Sequence, residues 1–302
     1  MNVLTGRRLA MYVGLCAVWG STWLAIKIGL KDLPPLRFAG IRMALACLLL
    51  TPFAFTRMGG RVSAPERRWI AWSGFLQIGV SYACIFLAEQ WIDSGLAALL
   101  FSTFPIFVGL FAHFLLPAEP LTRRTLLSAA LGIAGVAVVE APAVLGAASG
   151  HGRPMILGGA LVLASAISSG YSNVINKKHL AAVSPMRNVW GQTLVGSALL
   201  LSLAALFERG APARWTPGAA WAVVYLAVVG TALPFVGLFW LIRRVPVAVI
   251  GTIPVVDTVV AVLLGSLVLG ESMSARLLAG GAFILGGVLL AATPAPSPSR
   301  SG

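Results

Sequence analysis

Three sets of side chains could do chemistry, because each places polarity inside a long apolar run. Asp257 lies in the run Val247–Leu269, with Pro254 one helical turn before it. A charged side chain at the centre of a membrane helix costs about 2.5–3.5 kcal/mol on insertion scales, so this carboxylate must meet a cation, a proton or water. The alternative is a neutral or paired carboxyl that locks helices together. Arg42 lies about two turns into the run Leu36–Phe55. It is a permanent cation, able to hold a solute carboxylate or to pair with an acidic side chain. The third set is a face: Ser165, Ser169, Asn173 and Asn176 recur at four, four and three, so they share one side of a helix. Such a face either joins helices by hydrogen bonds or lines an aqueous cavity. With Tyr171 and Ser172 beside it, it carries more polarity than packing requires, so a cavity is expected.

Gln77 and Ser81 add polarity to the run Trp69–Leu87, and Trp19, Trp23 and Lys27 share a face of the first run. The candidate solute-binding set is therefore Trp19, Arg42, Gln77, Ser81, Ser165, Ser169, Asn173, Asn176 and Asp257. Lys27 is expected to snorkel toward the surface. Glu89 and Asp93 are expected to be solvated vestibule residues, and His113 a packing residue. Nothing in the set points to catalysis. The sequence has no HExxH, GxSxG or GxxxxGK[ST] pattern, and His113, His151 and His179 are scattered. Cys16, Cys47 and Cys84 sit singly in apolar runs, which gives neither a disulfide framework nor a metal signature. No catalytic residue, metal or cofactor is expected.

The elements that must hold these residues are membrane helices. Of 302 residues, 58% are apolar and only 10% charged, against roughly 25% charged in soluble domains. That excludes a water-soluble enzyme, and it excludes disorder. The net charge of +13 does not point to nucleic acid, because the basic residues form short clusters between apolar runs, as at Arg7-Arg8, Arg123-Arg124 and Lys177-Lys178.

A bilayer crossing takes about 20 mostly apolar residues. Ten such runs occur, approximately Leu9–Leu30, Leu36–Phe55, Trp69–Leu87, Gly95–Leu116, Thr125–Val139, Met155–Asn176, Arg187–Phe207, Gly218–Ile242, Val247–Leu269 and Ala275–Ala292. With the amino terminus placed in the cytoplasm, fourteen Lys and Arg fall on the inner side, six on the outer side and two within spans. The positive-inside rule then puts both termini in the cytoplasm. The fifth and tenth runs are nearly free of polar cargo, and Ser128-xxx-Gly132 and Ala282-xxx-Gly286 read as packing seams. A cavity lined by spans one, three, four, six, eight and nine is expected, with five and ten peripheral.

The chain repeats itself at an offset near 150. Gly20, Lys27 and Pro35 correspond to Gly170, Lys177 and Pro185, and Glu119 with Arg124 corresponds to Glu271 with Arg276. Gly135-Val136 likewise corresponds to Gly287-Val288. This divides the chain into residues 1–140, a linking loop 141–154, residues 155–292 and a disordered tail 293–302. Five helices per half is an odd number, so the halves cross the membrane in opposite senses, a plan used by secondary transporters. The expected fold is all-α, ten transmembrane helices in two inverted five-helix repeats.

Several stretches resemble the EamA branch of the drug/metabolite transporter superfamily. They are Trp19-Gly20-Ser21-Thr22 with Lys27, Pro34-Pro35 with Arg42, Ser94-Gly95-Leu96-Ala97-Ala98-Leu99-Leu100 running to Pro105, and Leu269-Gly270-Glu271 before a glycine-rich last helix. The likeness spans about Leu9 to Ala292. Asp257 departs from the pattern, lying in a helix that in many relatives holds only apolar and small residues. The resemblance implies a ten-helix transporter of the bacterial inner membrane that exports amino acids, related metabolites or toxic compounds. The implied partners are a small-molecule solute and the lipid bilayer, with a proton as a candidate coupling ion and no nucleic acid. The oligomeric state is not legible. A passive channel or non-transporting receptor is the alternative, and a membrane-embedded enzyme comes last.

Overall fold

The computed structural model describes residues 5–55, 62–116, 122–146, 153–242, 244–245 and 252–292. Among these there is no β-strand, and the helices fall into ten rods. They are α1 (Arg7–Gly29), α2 (Pro35–Ala54), α3 (Ala64–Ala88), α4 (Ser94–Phe101 continued by Phe104–Leu115), α5 (Arg123–Gly146), α6 (Arg153–His179) and α7 (Pro185–Phe207). α8 runs through Pro217–Ala227, Val228–Ala232 and Leu233–Ile242; α9 (Ile253–Leu269) and α10 (Ala275–Ala292) complete the chain. α1 to α8 each contain a stretch long and apolar enough to cross a membrane, while α9 and α10 are shorter apolar helices.

Local chemistry sets the helix starts. Pro35, Pro185 and Pro217 open α2, α7 and α8 at a position where the missing N–H costs nothing. Ser63 and Glu66 form a reciprocal capping box on α3, the Ser63 N–H donating to Glu66 Oε2 at 2.6 Å. α5 extends seven residues past the expected end at Val139, so the connection between halves is shorter than 141–154. α9 begins at Ile253, six residues later than the run Val247–Leu269 suggests. The expectations placed on Glu119, His151 and the tail 293–302 lie outside the described residues.

The rods pair as α1 with α9, α4 with α6, α2 with α7 and α5 with α10, and α3 packs on α6 and α7. Glycine decides the first two contacts. A Cβ on Gly20 would lie 2.6 Å from the Asp257 carbonyl oxygen, and one on Gly170 would lie 2.9 Å from Phe107 Cβ. Either methyl would force the helices apart. The α5–α10 seam runs through Ser128, Gly135, Gly280 and Gly287, whereas Gly286 has no neighbour within 4 Å. The pair Ala282 and Gly286 is therefore not the seam that its spacing suggested.

Three rods are broken where they pass the molecule's centre. α3 widens into a π turn at Phe75–Val80, and Ser168 Oγ from α6 donates to the Leu76 carbonyl there at 2.9 Å. α8 has a π turn at Val228–Ala232, just before Pro234, with Thr231 Oγ1 donating to the Leu226 carbonyl at 3.0 Å. α4 breaks before Pro105, and the Ser102 and Thr103 hydroxyls each donate at 2.7 Å to Leu99 and Leu100 carbonyls. π turns and prolines interrupt the backbone ladder, and these hydroxyls satisfy carbonyls at the interruptions.

Acidic side chains fasten the rods at the Gly29 end of α1. Gly270 closes α9 in the left-handed conformation (φ 69°), and the Glu271 N–H donates back to the Gly265 carbonyl. That turn aims Glu271 at the start of α4, where its carboxylate accepts from Ser94 N–H (2.8 Å), Ser94 Oγ (2.7 Å) and Gly95 N–H (3.0 Å). Glu208 does the same for α2, accepting from Leu36 and Arg37 N–H at 2.7 and 2.8 Å. Hydrogen bonds to a charged acceptor are worth about 1.5–3 kcal/mol. Glu271→Ala is expected to lower stability by at least that amount in thermal unfolding in lipid nanodiscs, with Glu271→Gln between it and the native protein. Equal stability of all three would show that α4 needs no cap.

Candidate functional site

The broken rods surround a cavity of about 250 Å³. Its wall is aromatic on three sides: Trp19 meets Phe235 edge-on at 6.4 Å, Trp23 meets Phe101 at 5.6 Å, and Phe101 stacks on Phe104 at 5.6 Å. Polar groups enter between the rings. Gln77 comes from α3, Ser102 from α4, Ser169 and Asn173 from α6, and Asp257 and Thr258 from α9. Among the described residues, α5, α7 and α10 contribute none to the lining. α2, not expected to line the cavity, reaches it through Arg42.

Arg42 is 2% exposed. Its guanidinium lies 4.7 Å from the Tyr82 ring centroid and 5.4 Å from that of Phe86, a cation–π cradle. Nε and Nη1 have no acceptor among the described residues. A buried donor without a partner carries the full desolvation penalty. Arg42 is thus a buried cation with two donors that no described residue satisfies.

Asp257 stands level with the middle of α1, held there by the Gly20 contact. It is the fifth residue of α9, near the helix end that favours negative charge. Pro254 lies in the first turn of α9, so it starts the helix and does not kink it. Thr258 Oγ1 is committed to the Pro254 carbonyl at 2.7 Å and reaches Asp257 Oδ1 only at 3.4 Å. Neither Asp257 nor Arg42 forms an ion pair among the described residues. One wall of the cavity therefore holds a guanidinium and another a carboxyl group, neither in an ion pair among the described residues.

Asn173 Nδ2 donates to the Ser169 carbonyl at 3.0 Å, but the other amide bonds are long. Gln77 Nε2 donates to Ser169 Oγ at 3.4 Å, and Asn173 Nδ2 reaches Gln77 Oε1 at 3.5 Å. Bonds this long exchange readily for a solute group. Asn173 is exposed although it lies inside α6, so the cavity opens toward the His179 end of that helix.

Of the nine candidates, Trp19, Arg42, Gln77, Ser169, Asn173 and Asp257 meet at the cavity. Ser81, Ser165 and Asn176 do not. Ser81 and Ser165 bond each other across α3 and α6 at 2.6 Å, both fully buried. Asn176 Oδ1 accepts from Ser73 (3.0 Å), Asn188 (3.2 Å) and Gln192 (3.1 Å), knitting α3, α6 and α7 together. The polar face thus divides into helix glue and cavity lining, because α3 covers part of it. Lys27 does not snorkel; its Nζ donates to the carbonyls of Glu89 (2.7 Å) and Ile92 (2.5 Å) beyond the end of α3. Glu89 is buried at 1% exposure, contrary to its expected solvation, because Lys27 draws this turn against α1. Asp93 is exposed. Sequence reasoning missed Tyr82, Phe101 and Phe104 at the site; the break signalled by Pro105 was the only clue to the last two.

A labelling experiment separates lining from glue. With Cys16, Cys47 and Cys84 replaced, Asn173→Cys is expected to react with a water-soluble thiol reagent and Ser165→Cys to stay unlabelled. Equal labelling would remove the division drawn here.

A bundle of apolar helices around a polar cavity defines a polytopic membrane protein. The EamA-like transporter family model matches residues 8–140 and again 156–293, and the chain belongs to that family. It is 27% identical over 284 residues to the uncharacterized transporter YoaV of Bacillus subtilis, covering 92% of this chain and 94% of the relative. It is 30% identical over 274 residues to the uncharacterized inner membrane transporter YedA of Escherichia coli, covering 90% and 84%. A protein of Salmonella typhimurium called a probable amino-acid metabolite efflux pump is 28% identical over 285 residues, covering 90% of each. A crystal structure with 23% identity shares the fold, with a TM-score of 0.64 over 94% of this chain and 96% of that one.

Proposed function

We propose that the chain is a secondary transporter exporting a small zwitterion of amino-acid type across the bacterial inner membrane by alternating access. The observation that carries this is the pair Arg42 and Asp257, a guanidinium with two unmet donors and a carboxyl group on one cavity, neither in an ion pair among the described residues. A solute carboxylate supplies the acceptor that Arg42 lacks, and its ammonium group supplies the cation that Asp257 lacks. The aromatic walls take an apolar side chain. The printed name of the Salmonella relative agrees with that solute class.

The same reading has ten spans in two inverted repeats, 1–140 and 155–292, with a linker at 141–154 and both termini cytoplasmic. The fourteen-to-six distribution of Lys and Arg supports the orientation. The repeat is supported by Gly20 abutting Asp257 while Gly170 abuts Phe107, two contacts offset by 150 on both partners. Access from one side at a time is supported by the exposed Asn173 at one end and by the bonds of Lys27, Glu208 and Glu271 at the other.

Counterflow in proteoliposomes tests the function. Vesicles loaded with unlabelled L-leucine are expected to accumulate external radiolabelled leucine transiently, with saturation, and empty vesicles are not. Linear, unsaturable entry without counterflow would make the protein a passive channel.

A further inference from the structure

Glu89 is the one buried acid in the described residues that both lacks every hydrogen bond and faces the cation of the cavity. Neither Oε1 nor Oε2 has a donor, and the side chain is 1% exposed. Three charged groups act on it: Lys27 of α1, Glu271 of the α9–α10 connection and Arg42 of α2. Asp93, four residues further on, shares the fields of Lys27 and Glu271. Lys27 donates two of its three N–H groups to the Glu89 and Ile92 carbonyls. Arg42, over the ring of Phe86 one turn before Glu89, has Nε and Nη1 without acceptors among the described residues.

We infer that Glu89 is a proton-binding site coupled to the cavity through Arg42, so that an anionic group arriving at Arg42 brings a proton onto Glu89. The inference rests on the reading that Arg42 receives the solute's carboxylate. While the cavity is empty, the field of Arg42 offsets part of the cost of an ionised carboxylate out of water. A solute carboxylate neutralises that field. Glu89 is then left buried with no donor, the field of Lys27 opposed by that of Glu271, and the ionised form becomes costlier. Taking one proton from water removes the charge: the carboxylate becomes a carboxylic acid, and no other bond changes.

Linkage makes the effect reciprocal. If solute binding takes up a proton, acid must tighten solute binding, by up to about tenfold per pH unit over the range where only the solute-bound form is protonated. Asp257 has the opposite sign, because an ammonium group at that carboxylate opposes protonation. The two acids are therefore distinguishable by the charge of the ligand.

The test uses the full chain in lipid nanodiscs. Titration calorimetry with L-leucine, run in two buffers of different ionisation enthalpy, is expected to show net proton uptake by the native protein. Isoamylamine, which is leucine without its carboxylate, is expected to show none. Glu89→Gln is expected to bind leucine without uptake, and Glu89→Asp to retain uptake. Uptake that persists in Glu89→Gln, or leucine binding by native protein without uptake, would overturn the inference. An infrared titration needs no solute: a carboxylic-acid C=O band missing from Glu89→Gln should appear at higher pH in Arg42→Gln than in the native protein. A band at the same pH in both would overturn the coupling. If the band moves but leucine does not bind, the proton site stands and the zwitterion reading fails.

Discussion

Replacing Arg42 by methionine is expected to make the protein more stable and nearly useless. A buried cation without acceptors is a debt in the folded state, and exchanging buried charges for apolar side chains of similar volume is often stabilising by about 1–4 kcal/mol. Methionine fills the Tyr82–Phe86 cradle as a flexible thioether with favourable sulfur–aromatic contacts. The same change removes charge-assisted hydrogen bonds to the solute, worth about 1.5–3 kcal/mol, so leucine binding should weaken about 10- to 100-fold. Thermal unfolding in nanodiscs and binding calorimetry on one preparation read both effects. The stability gain should be largest in acid, where a proton on Glu89 leaves no anion that misses Arg42. A variant that unfolds earlier than the native protein would show Arg42 to be a structural strut.

Asp257→Asn should do the reverse of a structural mutation: normal insertion, normal unfolding temperature, and a loss of about 10- to 100-fold in leucine affinity from the missing charge-assisted bond. Asparagine keeps the shape of the side chain at the Gly20 contact, which the backbone carbonyl of residue 257 makes in any case. Its side-chain oxygen still accepts from Thr258. Only the negative charge is lost. Unchanged affinity and flux would make Asp257 a packing residue and direct the search for the ammonium site to Asn173 and Gln77.

The apolar runs made the helices legible, since twenty apolar residues bounded by charge have few alternatives to a membrane span. Asp257 and Arg42 were legible for the same reason: polarity inside such a run has to be explained. What periodicity could not show was which neighbour covers each part of a polar face. Ser165 and Ser169 are one turn apart on α6 and both bond Ser81 of α3, at 2.6 and 3.0 Å, yet only Ser169 lines the cavity. Glu89 was misread because the end of a run looks exposed in sequence, whereas Lys27 of α1 holds this one against the bundle. Glu271 entered the sequence reading as a repeat marker and as part of the Leu269-Gly270-Glu271 resemblance, not as a cap. Its capping of α4 depends on the left-handed turn at Gly270 and on a partner 177 residues away.

The claim at the centre of this account is that the cavity recognises two opposite charges at two different residues. It is tested most directly by comparing dissociation constants of L-leucine, isoamylamine and 4-methylpentanoate for the native protein, Arg42→Met and Asp257→Asn. The native protein is expected to prefer leucine over both analogues by about tenfold or more, one charge-assisted bond being at stake in each comparison. Arg42→Met should erase only the preference over isoamylamine, and Asp257→Asn only the preference over 4-methylpentanoate. The same order and spacing of the three constants in all three proteins would contradict the assignment of both residues.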